Sequence, residues 1–205
     1  CLITGNSASE NGGAIYCTDA KPSIGNCTFS GDSAGGYGGA IFANHSSEPN
    51  IINSIFNNCS KHAIHEEDGD SGSGGKAIVR YSVFYNNTDG DYYDSGTQHV
   101  YAGTSGTYRV ATIPDGSGSN SYGDPFFETG PLGAFYLNQF TSPAKDHGSV
   151  NANVLGLNTY TTSINNAPDS DKVDIGYHEP DSSGFPSFTL TASVVAGQGT
   201  ISPTA

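Results

Sequence analysis

The chain has 205 residues, of which 28 are glycine, and only 13% of its residues are charged. Twenty acidic against seven basic side chains give a formal net charge of −13, which disfavours nucleic acids and anionic membranes as partners. No run of about 18 apolar residues is present, so no membrane insertion is expected within this segment. Glycine, serine, threonine and asparagine outnumber strong helix formers, and this composition favours an all-β fold.

Short segments recur along the first part of the chain with a period in the mid-twenties. Gly-Gly-Ala-Ile-Tyr at 12–16 returns as Gly-Gly-Ala-Ile-Phe at 38–42, a shift of 26, and the segment at 51–58 returns at 79–86, a shift of 28. This period predicts a parallel β-solenoid with three short strands in each turn. Ala-Ile at 63–64 and at 77–78 is interpreted as a weaker continuation of the Ala-Ile element. The alternative is a β-sandwich with coincidental repeats.

Equivalent residues on successive turns are expected to stack and form the inward face of the solenoid. Asparagines at the corners are expected to adopt left-handed backbone geometry, and the Gly-Gly pairs to form tight corners. The predicted corners are Asn26 over Asn53, and Asn57-Asn58 over Tyr85-Asn86. The predicted ladders are Ile15 on Ile41, Ile3 on Phe29, Phe56 and Phe84, and Ile24 on Ile51 and Val79.

Residues 1–94, with their Gly-Gly-Ala-Ile/Phe-x-x-Asn repeats, resemble secreted right-handed parallel β-helix proteins. The resemblance is strongest to chlamydial polymorphic outer-membrane proteins and bacterial adhesins. Residues 95–179 are expected to form irregular last coils and a C-terminal cap over the open apolar end of the solenoid. Their Asp-Pro-Phe-Phe, Ser-Pro-Ala-Lys-Asp and Asp-Ile-Gly-Tyr-His-Glu segments resemble the ending of many secreted bacterial β-helix proteins.

Residues 180–187 are predicted to be a linker, and 188–205 a short trailing β segment. The latter resembles the opening of internalin B-repeat-like modules, and it begins a further module or pairs with a neighbouring subunit. The chain is interpreted as a slice of a longer polypeptide, and its uncapped first turn suggests end-to-end stacking. The assembly candidates are Phe188, Leu190, Val194 and Ile201.

Four cysteines occur in the repeat region. Cys1 and Cys27 occupy the same position on consecutive turns, so their Cα atoms are expected about 4.8 Å apart, within the range of a disulfide. This pair is the favoured bridge, in an oxidising extracellular setting, although other pairings involving Cys17 and Cys59 remain open and unbridged thiols are the alternative.

Acidic loops between coils are the candidate cation sites. Carboxylates on glycine-rich turns suit Ca²⁺, although no EF-hand spacing is present and a solvated acidic loop is the alternative. Asp169 and Asp171 with Asp174 are a weaker candidate of the same kind. No cofactor is required by the sequence, and calcium would have a structural role. The loop candidates are Glu67, Asp68, Asp70, Asp89 and Asp91.

Polysaccharide lyases also use the β-helix fold, and Lys76 or Arg80 would be the base opposite calcium in such an enzyme, with His62 and His65 nearby. No lyase motif is visible, so no catalytic residue is assigned. A glycan-binding module would instead need only an aromatic strip. Its candidate residues are Tyr92, Tyr93, Tyr101, Tyr108 and Tyr122. Four glycosylation sequons begin at Asn26, Asn44, Asn58 and Asn86.

These observations favour an extracellular or cell-surface β-helix with a structural or adhesive role and no enzymatic activity. The expected partners are further copies of the chain, neighbouring domains of the same chain, or surface glycans. A carbohydrate-active enzyme or a glycan-binding module is the alternative.

Overall fold

The computed structural model describes residues 1–67, 76–114 and 119–180, and the described part is built almost entirely from short strands. Two 3₁₀ helices, η1 (Val110–Thr112) and η2 (Ala152–Leu155), interrupt them. The strands are β1 Leu2–Thr4, β2 Ser7–Ala8, β3 Ile15–Thr18, β4 Ser23–Gly25, β5 Thr28–Ser30, β6 Ser33–Ala34, β7 Ile41–Asn44, β8 Asn50–Ile52, β9 Ile55–Asn57, β10 His62–Glu67, β11 Ile78–Arg80, β12 Val83–Tyr85, β13 Gly90–Asp94, β14 His99–Tyr101, β15 Ser121–Tyr122, β16 Phe127–Gly130, β17 Gly133–Leu137, β18 Tyr160–Thr161 and β19 Glu179–Pro180.

Three sheets of stacked strands form the body of the molecule. Their strand orders are β1-β5-β9-β12-β15, β3-β7-β10-β13-β14 and β4-β8-β11. Every pair in these sheets is parallel except β13–β14, and neighbouring strands come from successive turns of the chain. The predicted parallel β-solenoid is therefore confirmed, and the β-sandwich alternative is wrong.

The predicted inward ladders are present in the expected register. Phe29 pairs with Phe56, and Phe56 with Phe84. Their rings stack at centroid distances of 4.9 and 5.0 Å and are fully buried. The ladders that contain Ile41 and Ile51 are confirmed as well, and all these residues belong to or pack against one buried cluster.

One part of the predicted repeat is wrong. Ile64 stacks on Ile41, as expected, but the residue above it is Tyr92 rather than Ile78. Ile78 instead pairs with Asn50 in a different sheet. The Ala-Ile dipeptide at 77–78 therefore repeats the sequence of 63–64 but not its structural position, because Ile78 begins a strand of a different sheet.

The corners of the solenoid have the predicted left-handed geometry. Asn26, Asn53, Asn58 and Asn86 have φ between 50° and 54°. The prediction is wrong for Asn57 and Tyr85, which are the last residues of β9 and β12. Tyr81 stands where the next asparagine after Asn53 would be, and its φ is 47°. At the Gly-Gly corner, a Cβ on Gly39 would lie 1.8 Å from the Ser60 carbonyl oxygen, so only glycine fits between these turns.

The segment at 95–179 packs against the solenoid at two places. After β13 the chain reverses into antiparallel β14, and Tyr101, Val110 and Ile113 join the buried cluster of the solenoid interior. Further along the segment, Ile175, Leu137 and Ala144 pack with Ile55 and Val83 in a second buried cluster.

The second cluster exists because of strand alternation. Ile55 and Val83 each precede a phenylalanine of the inward ladder, so their side chains leave the opposite face of the same sheet. Gly176 donates its N–H to the Asn53 carbonyl and Tyr177 donates its N–H to Thr28 Oγ1, which fix the segment against the outer face of the solenoid. The later part of the C-terminal segment thus covers a flank of the solenoid, and the cap over its end stays a prediction.

Within the described residues, no helix is long and apolar enough to cross a membrane. The described residues end at 180, which is the first residue of the predicted linker at 180–187. The rest of that linker and the predicted β segment at 188–205 therefore lie outside them. The same holds for the assembly candidates Phe188, Leu190, Val194 and Ile201.

The Tyr81 corner predicts a stabilising substitution. A residue with a Cβ loses about 1–2 kcal/mol in left-handed geometry, and asparagine tolerates that geometry better. Tyr81→Asn is therefore expected to raise the free energy of unfolding by about 0.5–1 kcal/mol, measured by urea denaturation. Tyr85→Asn is the matched control, because Tyr85 is similarly half-buried but lies within β12, and it is expected to give no gain. Equal effects of the two substitutions would contradict this account of the corner.

Candidate functional site

A ladder of aromatic rings runs along the outside of the solenoid. Tyr16, Phe42, His65 and Tyr93 occupy equivalent positions on β3, β7, β10 and β13. They alternate with inward residues such as Ile41, so their side chains leave the outer face of the sheet. Successive ring centroids lie 5.3, 5.5 and 4.5 Å apart; the first pair is tilted by 31°, and the other two are stacked at 22°.

Two further rings flank this ladder. Tyr37 stacks on His65 with its centroid 4.5 Å away, and His62 stacks on Tyr93 at 5.1 Å. Tyr16 and Tyr37 are each 51% exposed, whereas Phe42 and His65 are buried beneath the surrounding rings. We call this set of six rings the aromatic face: Tyr16, Tyr37, Phe42, His62, His65 and Tyr93.

Several polar atoms of the aromatic face and its border have no hydrogen-bond partner. His62 Nδ1, His65 Nδ1 and Asn44 Oδ1 are buried and unpaired. The amide of Asn44 donates through Nδ2 to the Tyr16 hydroxyl at 3.0 Å, which fixes the tyrosine ring at the edge of the face. A buried polar atom without a partner is destabilising, so its presence at three neighbouring positions is unusual for a purely structural surface.

Burial keeps both histidines uncharged at neutral pH. Burial, and secondarily the neighbouring His62, lower the pKa of His65 to about 4. Burial also lowers the pKa of His62, partly opposed by the nearby Asp89 carboxylate. Since both pKa values fall below the ordinary value, the aromatic face carries no ionised ring at pH 7.

A second polar cluster lies in the C-terminal segment. The carboxylates of Asp146, Asp169 and Asp174 can each offer one oxygen within 4.8 Å of the others. They line an open pocket of about 220 Å³ together with Lys145 and Thr162. Asp169 and Asp174 belong to the weaker cation candidate predicted from sequence, whereas Asp146 was missed and the Asp171 carboxylate is not one of the converging three.

Hydrogen bonds within the chain already occupy these carboxylates. Asp174 Oδ1 accepts the Asp146 N–H at 2.7 Å, and its Oδ2 accepts the Thr162 hydroxyl. Asp169 Oδ2 accepts the Asp174 N–H at 2.8 Å, while the Asp146 carboxylate pairs with the ammonium group of Lys145. Burial raises the pKa of Asp174 in spite of the hydrogen bonds it accepts. The cluster therefore joins the Ser-Pro-Ala-Lys-Asp and Asp-Ile-Gly segments to each other.

His178 completes this network. Its Nε2 lies 2.9 Å from Asp169 Oδ2, and its Nδ1 lies 3.1 Å from the Gly176 carbonyl oxygen. Both ring nitrogens thus face oxygen atoms of the chain, one from a carboxylate and one from the backbone. Since neither nitrogen is available to a hydroxyl nucleophile, the pair serves structure rather than acid–base chemistry.

The predicted calcium loop is not assembled among the described residues. Glu67 and Asp89 are exposed, whereas Asp91 is buried and accepts hydrogen bonds from Asn87 Nδ2 and the Gly103 N–H. Burial raises the pKa of Asp91. Asp68 and Asp70 lie outside the described residues, so a structural calcium ion stays a prediction.

The predicted Cys1–Cys27 disulfide is not formed, and all four cysteines are free thiols. The two residues do lie in register, with the Cys1 ammonium group 3.5 Å from Cys27 Sγ. The buried Cys27 thiol instead donates to the Gly25 carbonyl oxygen at 3.2 Å. Burial raises the pKa of Cys59 to about 12 and also raises the pKa of Cys17, so neither forms a reactive thiolate at neutral pH.

The aromatic strip predicted for glycans differs from the observed one. Tyr92 and Tyr101 are buried in the solenoid interior, where the Tyr92 hydroxyl donates to the buried Glu66 carboxylate. Tyr108 is 42% exposed and stacks on His99, away from the aromatic face. Tyr122 packs partly against the core, and of the five predicted tyrosines Tyr93 joins the face.

The remaining candidates are dispersed. Lys76 and Arg80, the predicted lyase bases, are exposed before and at the end of β11, in a different sheet from Glu67 on β10. Sequon residues Asn58 and Asn86 are exposed and joined by a 2.5 Å hydrogen bond between their side chains. The sequon residues Asn26 and Asn44 are half-buried, and their glycosylation, like that of the other two, stays a prediction.

Breaking the buried His178–Asp169 pair is expected to destabilise the C-terminal segment. Asp169→Ala leaves His178 Nε2 and the Asp174 N–H without their acceptor, at a cost of about 3–5 kcal/mol in unfolding free energy. Asp171→Ala, at an exposed position of the same pocket, is expected to change stability by less than about 0.5 kcal/mol. Similar losses in both variants by urea denaturation would contradict the structural role of the pair.

The lowered pKa of His65 predicts that the free energy of unfolding depends on pH. Its pKa is lowered from 6.5 to about 4, so the unfolded chain binds a proton between these pH values that the folded chain does not. Its contribution to stability is thus present above pH 6.5 and is lost as the pH falls towards 4. His65→Phe is expected to reduce the loss of stability on acidification by about 1 kcal/mol.

Urea denaturation at neutral pH and near pH 4.5, about the lower end of this window, measures the effect. Phe42→Leu is the control, because it disturbs the same packing without removing a titratable group and should lower stability equally at both pH values. An identical acid sensitivity of the His65→Phe variant and the unmodified chain would disprove the assignment.

Comparison with known proteins finds one partial match. Residues 1–18 match the Chlamydia polymorphic membrane protein repeat. The matched stretch contains strands β1, β2 and β3, which form the first turn as far as the aromatic face at Tyr16. No curated protein and no solved structure matches the chain. The first turn of this β-solenoid is thus similar to a polymorphic membrane protein repeat.

Proposed function

We propose that this chain is a cell-surface β-helix segment with a structural and adhesive role. The observation that carries the proposal is the continuous parallel stack with an aromatic outer face, whose first turn matches a polymorphic membrane protein repeat. A stacked solenoid is rigid because each turn contacts its neighbours along its whole length, and it presents long outer faces to the surroundings. Adhesive surfaces need both properties.

Self-association is a further part of this proposal. Among the described residues, β1, β3 and β4 lie at the edges of their sheets, where a further turn or another copy could pair. Leu2 and Tyr16 are exposed near this edge. The opposite end is closed by antiparallel β14, so the two ends differ. We therefore assign the first turn as the contact for another copy or for a neighbouring domain of the same chain.

Bead adhesion tests the proposal most simply. Beads coated with the purified chain are expected to attach to a layer of cultured animal cells several times more often than albumin-coated beads. Beads coated with the heat-denatured chain are the matched control, because they carry the same residues without the solenoid. Electron microscopy of the same preparation reports whether the chain forms end-to-end particles through its first turn.

Two results would overturn the adhesive proposal. The proposal is refuted if beads coated with the native chain attach no better than beads coated with albumin or with the denatured chain. Release of unsaturated products from polygalacturonate by the chain would replace it with the alternative of a polysaccharide lyase. Single particles at all concentrations would refute self-association through the first turn, while leaving adhesion standing.

A further inference from the structure

Resting on the adhesive role proposed above, we propose that the aromatic face is a binding site for a neutral saccharide. Sugar rings stack on the exposed tyrosines Tyr16 and Tyr37, and sugar hydroxyls bond to the unpaired polar atoms beside them.

The two tyrosines form a preorganised platform. Tyr16 and Tyr37 are each half exposed, and their rings lie 5.3 and 6.5 Å from the buried Phe42 ring. The Tyr16 hydroxyl is held by Asn44 Nδ2, and the Tyr37 ring is stacked on His65. Rings that are already fixed lose little conformational entropy when a ligand stacks on them, and tyrosine combines an apolar ring with a polar tip.

The unpaired polar atoms indicate a hydroxyl-rich ligand. Five buried side-chain polar atoms lack a partner in the described residues, and three of them are His62 Nδ1, His65 Nδ1 and Asn44 Oδ1. His65 is only 5% exposed, so solvent does not satisfy its nitrogen. A hydroxyl both donates and accepts, so it can pair with the amide oxygen and with either tautomer of the imidazoles. Asn44 Oδ1 belongs to the amide that holds the Tyr16 hydroxyl, so a sugar stacked on Tyr16 would lie beside it.

Charge selects a neutral ligand. The six rings of the aromatic face are uncharged at neutral pH, since burial lowers the pKa of both histidines. The chain carries a formal net charge of −13, which repels uronate or sulfated polymers. A neutral oligosaccharide therefore fits this surface better than an anionic glycan, and its hydroxyls match the unpaired polar atoms of the face.

Binding of four neutral tetrasaccharides to the intact chain tests the proposal. The probes are cellotetraose, fully N-acetylated chitotetraose, maltotetraose and β-1,4-mannotetraose, with tetragalacturonate as the anionic comparison. Saturation-transfer NMR and calorimetry are expected to detect at least one neutral probe with a Kd below about 1 mM, and no binding of tetragalacturonate.

Tyr16→Ala and Tyr37→Ala are each expected to raise that Kd about five- to tenfold. Tyr108→Ala, at an exposed stacked tyrosine outside the face, is the control and should leave the Kd unchanged.

The inference is overturned if none of the four neutral probes binds, or if both tyrosine variants bind as the unmodified chain does while retaining its circular dichroism spectrum. Its failure is distinguishable from that of the adhesive role. Bead adhesion that survives enzymatic removal of cell-surface glycans but not protease treatment would point to a protein ligand and refute this inference alone. Saccharide binding without bead adhesion would refute the adhesive role alone.

Discussion

In-register stacking of inward side chains is the constraint on which the rest of this molecule depends. Phe29, Phe56 and Phe84 stack face to face at the spacing that neighbouring strands impose on each other. A slip of one residue would turn each phenylalanine outward, so the register of every turn is fixed by its burial. The outer aromatic face inherits its order from the same register, because its rings alternate with the inward residues on each strand.

The flank of the solenoid shows how alternation creates a second core. Ile55 and Val83 leave the sheet on the side opposite the phenylalanine ladder, and the C-terminal segment supplies Leu137, Ala144 and Ile175 to cover them. The buried pair of His178 and Asp169, with Asp174, then holds that segment in its folded shape. The acidic residues of this region are therefore used for internal hydrogen bonds.

The sequence predicts the solenoid well because its repeats recur in phase, so the ladders and the asparagine corners follow from spacing alone. The prediction fails where the same dipeptide recurs at a different structural position, as at Ala77 and Ile78, which belong to a different strand of the turn. It assigned the C-terminal segment a capping role from a resemblance and from the open apolar end, and did not consider the outward side chains of Ile55 and Val83, against which this segment packs. The aromatic face was missed because its rings come from different turns: Tyr37 meets His65, and His65 meets Tyr93, at spacings that no short motif records.

Replacement of the central ring of the inward ladder tests the account most directly. Phe56 is fully buried between two stacked rings, so Phe56→Ala is expected to lower the free energy of unfolding by about 3–5 kcal/mol. Urea denaturation followed by circular dichroism measures this loss. A loss below about 1 kcal/mol, the range of an exposed position, would contradict the claim that the stacked ladder holds the turns in register.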